Sequence, residues 1–245
     1  MRARGVAFLA TVVLAAGLAT GCSGITIEPV SQAPASGDAA AALAALPVKG
    51  RAPRTGYDRD EFGQRWADVD RNGCDQRNDV LARDLVDEAF RAGTRECVVL
   101  NGRLADPYTG RTIDFTRGQG TSDDVQIDHV VALSNAWQTG AQQLAPDTRE
   151  LLGNDPLNLL AVDGPTNASK GDGDAATWLP PVRGYRCAYV ARQVAVKSKY
   201  GLWVTSAERE AIARILTGCP GEPLPADPAV PAPTEELRAL RSGTG

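Results

Sequence analysis

Apolar residues in the middle of the chain recur at two periods. Val80, Leu81, Leu85, Ala89 and Phe90 fall at helical spacing, which predicts a helix over Asp79–Ala92. A shorter helix is predicted at Arg59–Trp66. Val125–Val131 alternates and is β-branched, so it reads as a strand, and the apolar run Leu157–Val162 reads as a buried one. Cys97–Leu100 is a shorter strand candidate, closed by an Asn101-Gly102 turn, and Thr112–Phe115 is another. Helices are predicted from Leu133 to Thr139, from about Thr166 after the turn Asp163-Gly164-Pro165, and over Gly184–Tyr200, which carries Tyr189, Val190, Val194, Val196 and Tyr200. The last helix is Thr205–Leu216, with Thr205 or Ser206 as N-cap and Glu208 in its first turn. The fold class is α+β, a small strand pair inside a mainly helical frame.

The pattern changes at both ends. Arg2 and Arg4 precede an apolar run from Val6 to Leu18, too short to span a bilayer comfortably, which ends in small residues before Cys22. That is the layout of an export signal over residues 1–22. Its end resembles a bacterial lipobox, with Cys22 as the lipidated N-terminus, although Ala19 stands where Leu is typical. Ordinary cleavage with release is the alternative. Residues 23–55 are rich in Ala, Pro, Ser and Gly and read as a disordered tether, with Ala39–Leu46 able to form a helical turn or two. Residues 220–245 read as a Pro-rich disordered tail with a short helix at Thr234–Arg241. The folded domain is then 56–219. The expected location is outside the cytoplasm, on the outer face of the membrane or secreted, as a monomer.

Composition sharpens this in two respects. The formal net charge is −4, so overall basicity does not mark a nucleic-acid binder, and any such role must rest on a local site. Besides Cys22 the chain has Cys74, Cys97, Cys187 and Cys219. An even count in an exported chain predicts two disulfides; three pairings are possible, and local closure favours Cys74–Cys97 and Cys187–Cys219. A zinc site fits poorly, because there is no C-x-x-C pair and a single histidine. Asp68, Asp70, Asn72 and Gly73 mimic the start of a calcium loop, with a structural turn ahead of Cys74 as the other reading. Arg77 and Asn78 fit either a site or a helix surface. The four tryptophans fit core or rim positions better than base-stacking platforms, and Arg183–Lys199 is either a nucleic-acid path or a solvated helix face.

Three segments concentrate chemistry: Ile127-Asp128-His129-Val130-Val131, Asn154-Asp155-Pro156-Leu157-Asn158-Leu159-Leu160 and Thr166-Asn167-Ala168-Ser169-Lys170-Gly171-Asp172. They read as strand, strand and helix start. Asn167 and Lys170 share a helix face. Phosphodiester hydrolysis needs a base for water, a cation for the phosphate and stabilisation of the leaving oxygen. Neutral imidazole suits the first at physiological pH, and a carboxylate with an amide oxygen suits Mg²⁺ or Mn²⁺. Adjacent strand residues face opposite ways, so Asp128 and His129 can share a site only at a twist or strand end.

These segments resemble the ββα-metal core of HNH nucleases, in particular the bacterial family related to the C-terminal domain of the GmrSD restriction endonuclease, which includes exported actinobacterial proteins. The Asp-His, Asn and Asn-x-x-Lys-x-Asp pattern also resembles the HNH domain of CRISPR effector nucleases. Asp75-Gln76-Arg77-Asn78-Asp79, Asp106-Pro107-Tyr108-Thr109-Gly110 and Trp178-Leu179-Pro180-Pro181 look like further landmarks, so the likeness covers roughly residues 57–219. It implies a ββα-metal core within the helical frame and a metal-dependent endonuclease acting on DNA, or on RNA, with little sequence preference. His129 would be the general base, Asp128 and Asn167 ligands of Mg²⁺ or Mn²⁺, and Asn158 the brace of the loop between the strands. Lys170 would face phosphate and Asp172 would be a supporting carboxylate. Asn at the last HNH position favours Mg²⁺ or Mn²⁺ over zinc or nickel. The competing readings are a catalytically inactive cell-surface module that binds nucleic acid, and a hydrolase of another phosphodiester.

Overall fold

A computed structural model describes residues 35–226. The export signal, Cys22 and the helix expected at Thr234–Arg241 lie outside the described residues.

The first sheet is antiparallel, in the order β1 (Leu85–Phe90), β2 (Val99–Ala105), β3 (Thr112–Thr116). Helix α2 (Gln76–Asp84) leads into it, capped by the Asp75 carboxylate on the Asn78 amide. Val80, Leu81, Leu85, Val99, Leu104 and Phe115 bury together where α2 and the sheet meet. The helix expected over Asp79–Ala92 therefore stops at Asp84, and the chain continues from Leu85 as strand β1. The pairing of β1 with β2 shifts register between Val86 and Ala89, and Asp87 adopts φ 53°. Such a bulge breaks period-two alternation, and here it leaves an apolar spacing that mimics a helix. Asn101-Gly102 is likewise not a turn. Both residues lie inside β2, where a Cβ on Gly102 would come within 2.7 Å of the Leu85 side chain. Glycine serves close packing there, not chain reversal.

The second sheet is the antiparallel pair β4 (Val125–His129) and β5 (Leu159–Asp163), with Ile127 opposite Ala161 and His129 opposite Leu159. Between them the chain makes a long helical excursion, α3 (Leu133–Gln138) and α4 (Pro146–Asn154). Helix α4 has no counterpart in the sequence expectations. Helix α5 (Gly164–Lys170) starts directly after β5, capped by the Asp163 side chain on the Thr166 amide. Helices α6 (Arg186–Tyr200) and α7 (Ser206–Thr217) back the pair, the latter opened by a capping box between Thr205 and Glu208. Val130, Leu160, Val162, Tyr189, Val194 and Ile212 share one core.

Residues 35–46, within the expected tether, pack into this core. Helix α1 (Asp38–Ala45) buries Ala39 and Leu43, Leu46 is buried behind it, and Val48 bridges Val204 in parallel. The Trp203 indole donates to the Gly50 carbonyl at 3.0 Å. An alanine-rich stretch has little amphipathic contrast, which is why it reads as linker, yet small side chains let a helix sit close against its neighbours. The cysteines pair as Cys74–Cys97 and Cys187–Cys219, with Cα separations of 5.2 and 6.2 Å, so these thiols form no zinc site. Asp68 accepts the amides of Asn72 and Gly73, a turn closed by its own hydrogen bonds ahead of Cys74.

Candidate active site

The site forms where β4 ends. The Asp128 carboxylate is buried and held from two sides: the Tyr108 hydroxyl donates to Oδ2 at 2.6 Å and the Lys170 ammonium to Oδ1 at 2.8 Å. Lys170 also donates to the His129 carbonyl at 2.8 Å, and its side chain is wholly buried. This ammonium points inward at Asp128. Its tether is one turn of α5 lying over the end of β4. Tyr108 is delivered by the Asp106–Gly110 turn, in which Asp106 accepts the Thr109 and Asp163 amides and so locks the turn to the end of β5. Burial, then the Asp128 charge, push the Tyr108 hydroxyl far above its ordinary pKa, so it stays a donor.

The His129 ring lies parallel to the Trp66 indole, 14° apart with centroids at 6.3 Å. Its Nε2 is 2.8 Å from the Gly153 carbonyl at the end of α4. A carbonyl only accepts, so Nε2 carries the proton and Nδ1 keeps the basic lone pair. Burial first, then the nearby Arg59 charge, push the His129 pKa down to about 4; the Gly153 hydrogen bond and the Asp128 charge oppose them. The imidazole is therefore neutral at physiological pH.

Asp128, His129, Asn167 and Asp172 line one cavity of about 220 Å³, together with Tyr57 and Arg59. The Asn167 amide nitrogen donates to Gln126 at 2.9 Å, which leaves its carbonyl oxygen as the end able to bind a cation. Asp172 is half exposed and 3.6 Å from Arg54. Asn158, wholly buried, accepts the Val131 amide at 2.8 Å and donates to the Val131 and Leu152 carbonyls, while its own carbonyl takes the Val130 amide. These bonds tie the segment leaving His129 to the approach of β5.

The donors fit a hard cation, being carboxylate and amide oxygens. Among the described residues, the one group that brings three acidic, thiol or imidazole ligands within 4.8 Å is Cys187, Cys219 and Glu222, whose thiols form a disulfide. Asp128, His129 and Asp172 do not converge so tightly.

Comparison with known proteins places the arrangement. The family model of GmrSD restriction endonucleases, C-terminal domain, matches residues 75–215. The chain belongs to this family. The GmrSD C-terminal-domain match starts at the cap of α2 and ends within α7, so it spans both sheets, helices α2 to α6 and Asp128, His129, Asn158, Asn167, Lys170 and Asp172. The chain is also similar to an uncharacterized secreted protein of Arthroderma benhamiae, 37% identical over 188 residues, which cover 76% of this chain and 87% of that one. No solved structure matches.

Sequence reasoning missed several neighbours of the site. Tyr108 carried a signal, the Asp-Pro-Tyr-Thr-Gly turn, but nothing in it named the partner. Trp66, Arg59 and the Gly153 carbonyl carried none, because their proximity to His129 arises from the packing of α4. Asn78, a candidate for the site, instead accepts the Val99 amide and ties α2 to the first sheet.

Proposed function

We propose that the protein is an exported, metal-dependent endonuclease of the HNH, ββα-metal type, cutting DNA or RNA phosphodiesters with little sequence preference. The observation that carries this reading is His129. It is a neutral imidazole with Nε2 committed to a carbonyl, at the wall of a cavity that Asp128 and Asn167 also line. Family membership and the strand, strand, helix order of β4, β5 and α5 support it.

A divalent ion, Mg²⁺ or Mn²⁺, held by Asp128 and Asn167 would neutralise a phosphate oxygen and the departing 3′-oxygen. His129 Nδ1 takes a proton from water, whose oxygen attacks phosphorus in line. The bond to the 3′-oxygen breaks and that oxygen takes a proton from solvent water, leaving 5′-phosphate and 3′-hydroxyl ends. Tyr108 and Lys170 hold Asp128 in place, and Asn158 fixes the chain that carries His129. A pKa near 4 makes a weak base, but an incoming phosphate beside Arg59 offsets the charge that helps depress it, moving the imidazole toward the range where general bases work. The test is plasmid nicking with Mg²⁺ and an EDTA control. His129→Ala should lower the rate roughly 10²–10⁴-fold; near-normal nicking by that variant would refute the assignment.

Export rests on the N-terminal signal, the two disulfides and the secreted relative. With Cys22 as a lipidated N-terminus, the protein works at the outer membrane face; intact-mass measurement of the mature chain separates this from release.

A further inference from the structure

The segment from Arg59 to Ala67 precedes the family match and forms a wall beside His129. A second cavity of about 110 Å³ lies between that wall and the imidazole, lined by Arg59, Arg65, Trp66, His129, Gly153 and Asn154. Trp66 adopts φ 61°, a conformation large side chains rarely hold without support. The support is Asn154, whose carbonyl accepts the Ala67 amide at 3.1 Å while its nitrogen donates to the Gln64 carbonyl at 3.0 Å. Glu150 adds a bond to the Gln64 amide at 3.1 Å. The wall is thus latched to α4, the same helix that delivers the Gly153 carbonyl to His129.

What this latch presents is positive charge. The Arg65 guanidinium lies 5.3 Å above the Trp66 ring, and Arg59 lines both cavities. Arg77 lies over the Phe115 ring at 5.8 Å and within reach of the Arg65 charge. Among the described residues, none of these three has a carboxylate within ion-pair distance, a property they share with other arginines such as Arg117 and Arg214 but hold here beside the cavity or the charge of Arg65. Burial first, and then the repulsion of Arg65, lower the pKa of Arg59; Arg77 is lowered by burial, then Arg117, then Arg65. Asp172 and Asp75 only temper this. Repelling guanidiniums kept together in a chain of net charge −4 call for an anion to neutralise them.

We propose that Arg59, Arg65 and Arg77 form a track for the nucleic-acid backbone flanking the scissile phosphate, and that Trp66 is a positioning residue that holds Arg65 on it. This rests on the nuclease reading and adds the path of its substrate. Backbone contacts of this kind bind by releasing counterions, so they are read from salt dependence.

The test is fluorescence anisotropy with a short fluorescein-labelled single-stranded DNA, in EDTA to prevent cleavage, across a NaCl series. Arg59→Gln, Arg65→Gln and Arg77→Gln should each weaken binding roughly tenfold at low salt and reduce the log–log salt slope by about 0.7. Arg214→Gln, on the exposed face of α7, should change neither. Trp66→Leu should match Arg65→Gln, and Trp66→Phe, which keeps a ring under the guanidinium, should restore the slope. Unchanged slopes for Arg59→Gln and Arg65→Gln in a protein that binds and nicks DNA would overturn the track alone. A wild type that neither binds nor nicks overturns the nuclease reading and the track together. An unchanged slope for Trp66→Leu, or no recovery in Trp66→Phe, overturns the positioning role.

Discussion

In the proposed nuclease His129 carries most of the chemistry, and its environment makes two measurable statements. Its folded pKa of about 4 lies below the 6.5 of an unfolded histidine, so the unfolded chain binds a proton first as pH falls. The associated stability is complete above pH 6.5 and is lost between there and about 4. In metal-free protein, urea unfolding at pH 7 and 4.5 should show wild type losing about 2–3 kcal/mol more than His129→Gln. Equal losses would mean that the imidazole is not desolvated. Tyr108→Phe addresses the other half of the site. It leaves one oxygen of the buried Asp128 carboxylate without its hydroxyl donor, at a cost of about 1–3 kcal/mol. Nicking by that variant should need more Mg²⁺ for half-maximal rate, with His129 unaffected; an unchanged Mg²⁺ dependence would deny that Tyr108 orients Asp128.

At the scale of elements, what could be read from the sequence depended on whether a segment's partners are local. Strands β4 and β5 and helices α5 to α7 were legible, because each shows its buried face in its own periodicity or carries its own cap, as Asp163 and Thr205 do. Helix α2 was overrun, since the bulge in β1 scrambles the alternation that would have ended it. Gly102 misled for a related reason: only the Leu85 side chain across the strand explains it. Helix α1 was read as a helical turn or two within a tether, its burial was not foreseen, and it sets a test. A chain beginning at residue 56, the boundary that hydrophobic patterning suggests, loses the burial of Leu43 and Leu46. It should be about 3–6 kcal/mol less stable in urea than a chain beginning at residue 35. Equal midpoints would show that α1 adds nothing to the core.

The described residues join a three-stranded sheet and a two-stranded one, the latter too small to stand alone, through helices and two covalent ties. Cys74–Cys97 fastens the approach to α2 to the turn between β1 and β2, and Cys187–Cys219 joins the first turn of α6 to the end of α7. Such ties persist in an oxidising compartment. Replacing either pair by serine should cost about 2–4 kcal/mol, read as a lower urea midpoint, with the Cys74–Cys97 pair acting on the first sheet and not on His129. The whole-molecule charge, by contrast, says nothing of substrate. A chain of net charge −4 presents unpaired arginines beside its histidine, and only the fold gathers them there.

The sequence by itself determined the chemical inventory: one histidine beside an aspartate at a strand end, an asparagine before the next strand, an asparagine and a lysine on the following helix, and, Cys22 aside, four cysteines. These are local facts, fixed by residue type and spacing. The tertiary structure alone decided how they are used. The ring nitrogen that bears the proton is set by a carbonyl 24 residues away on α4. The lysine turns inward because a buried carboxylate needs a partner more than an exposed cavity does. Contacts of this kind depend on which surfaces bury against each other, and that is decided by the packing of the whole chain and not by the pattern of any one segment.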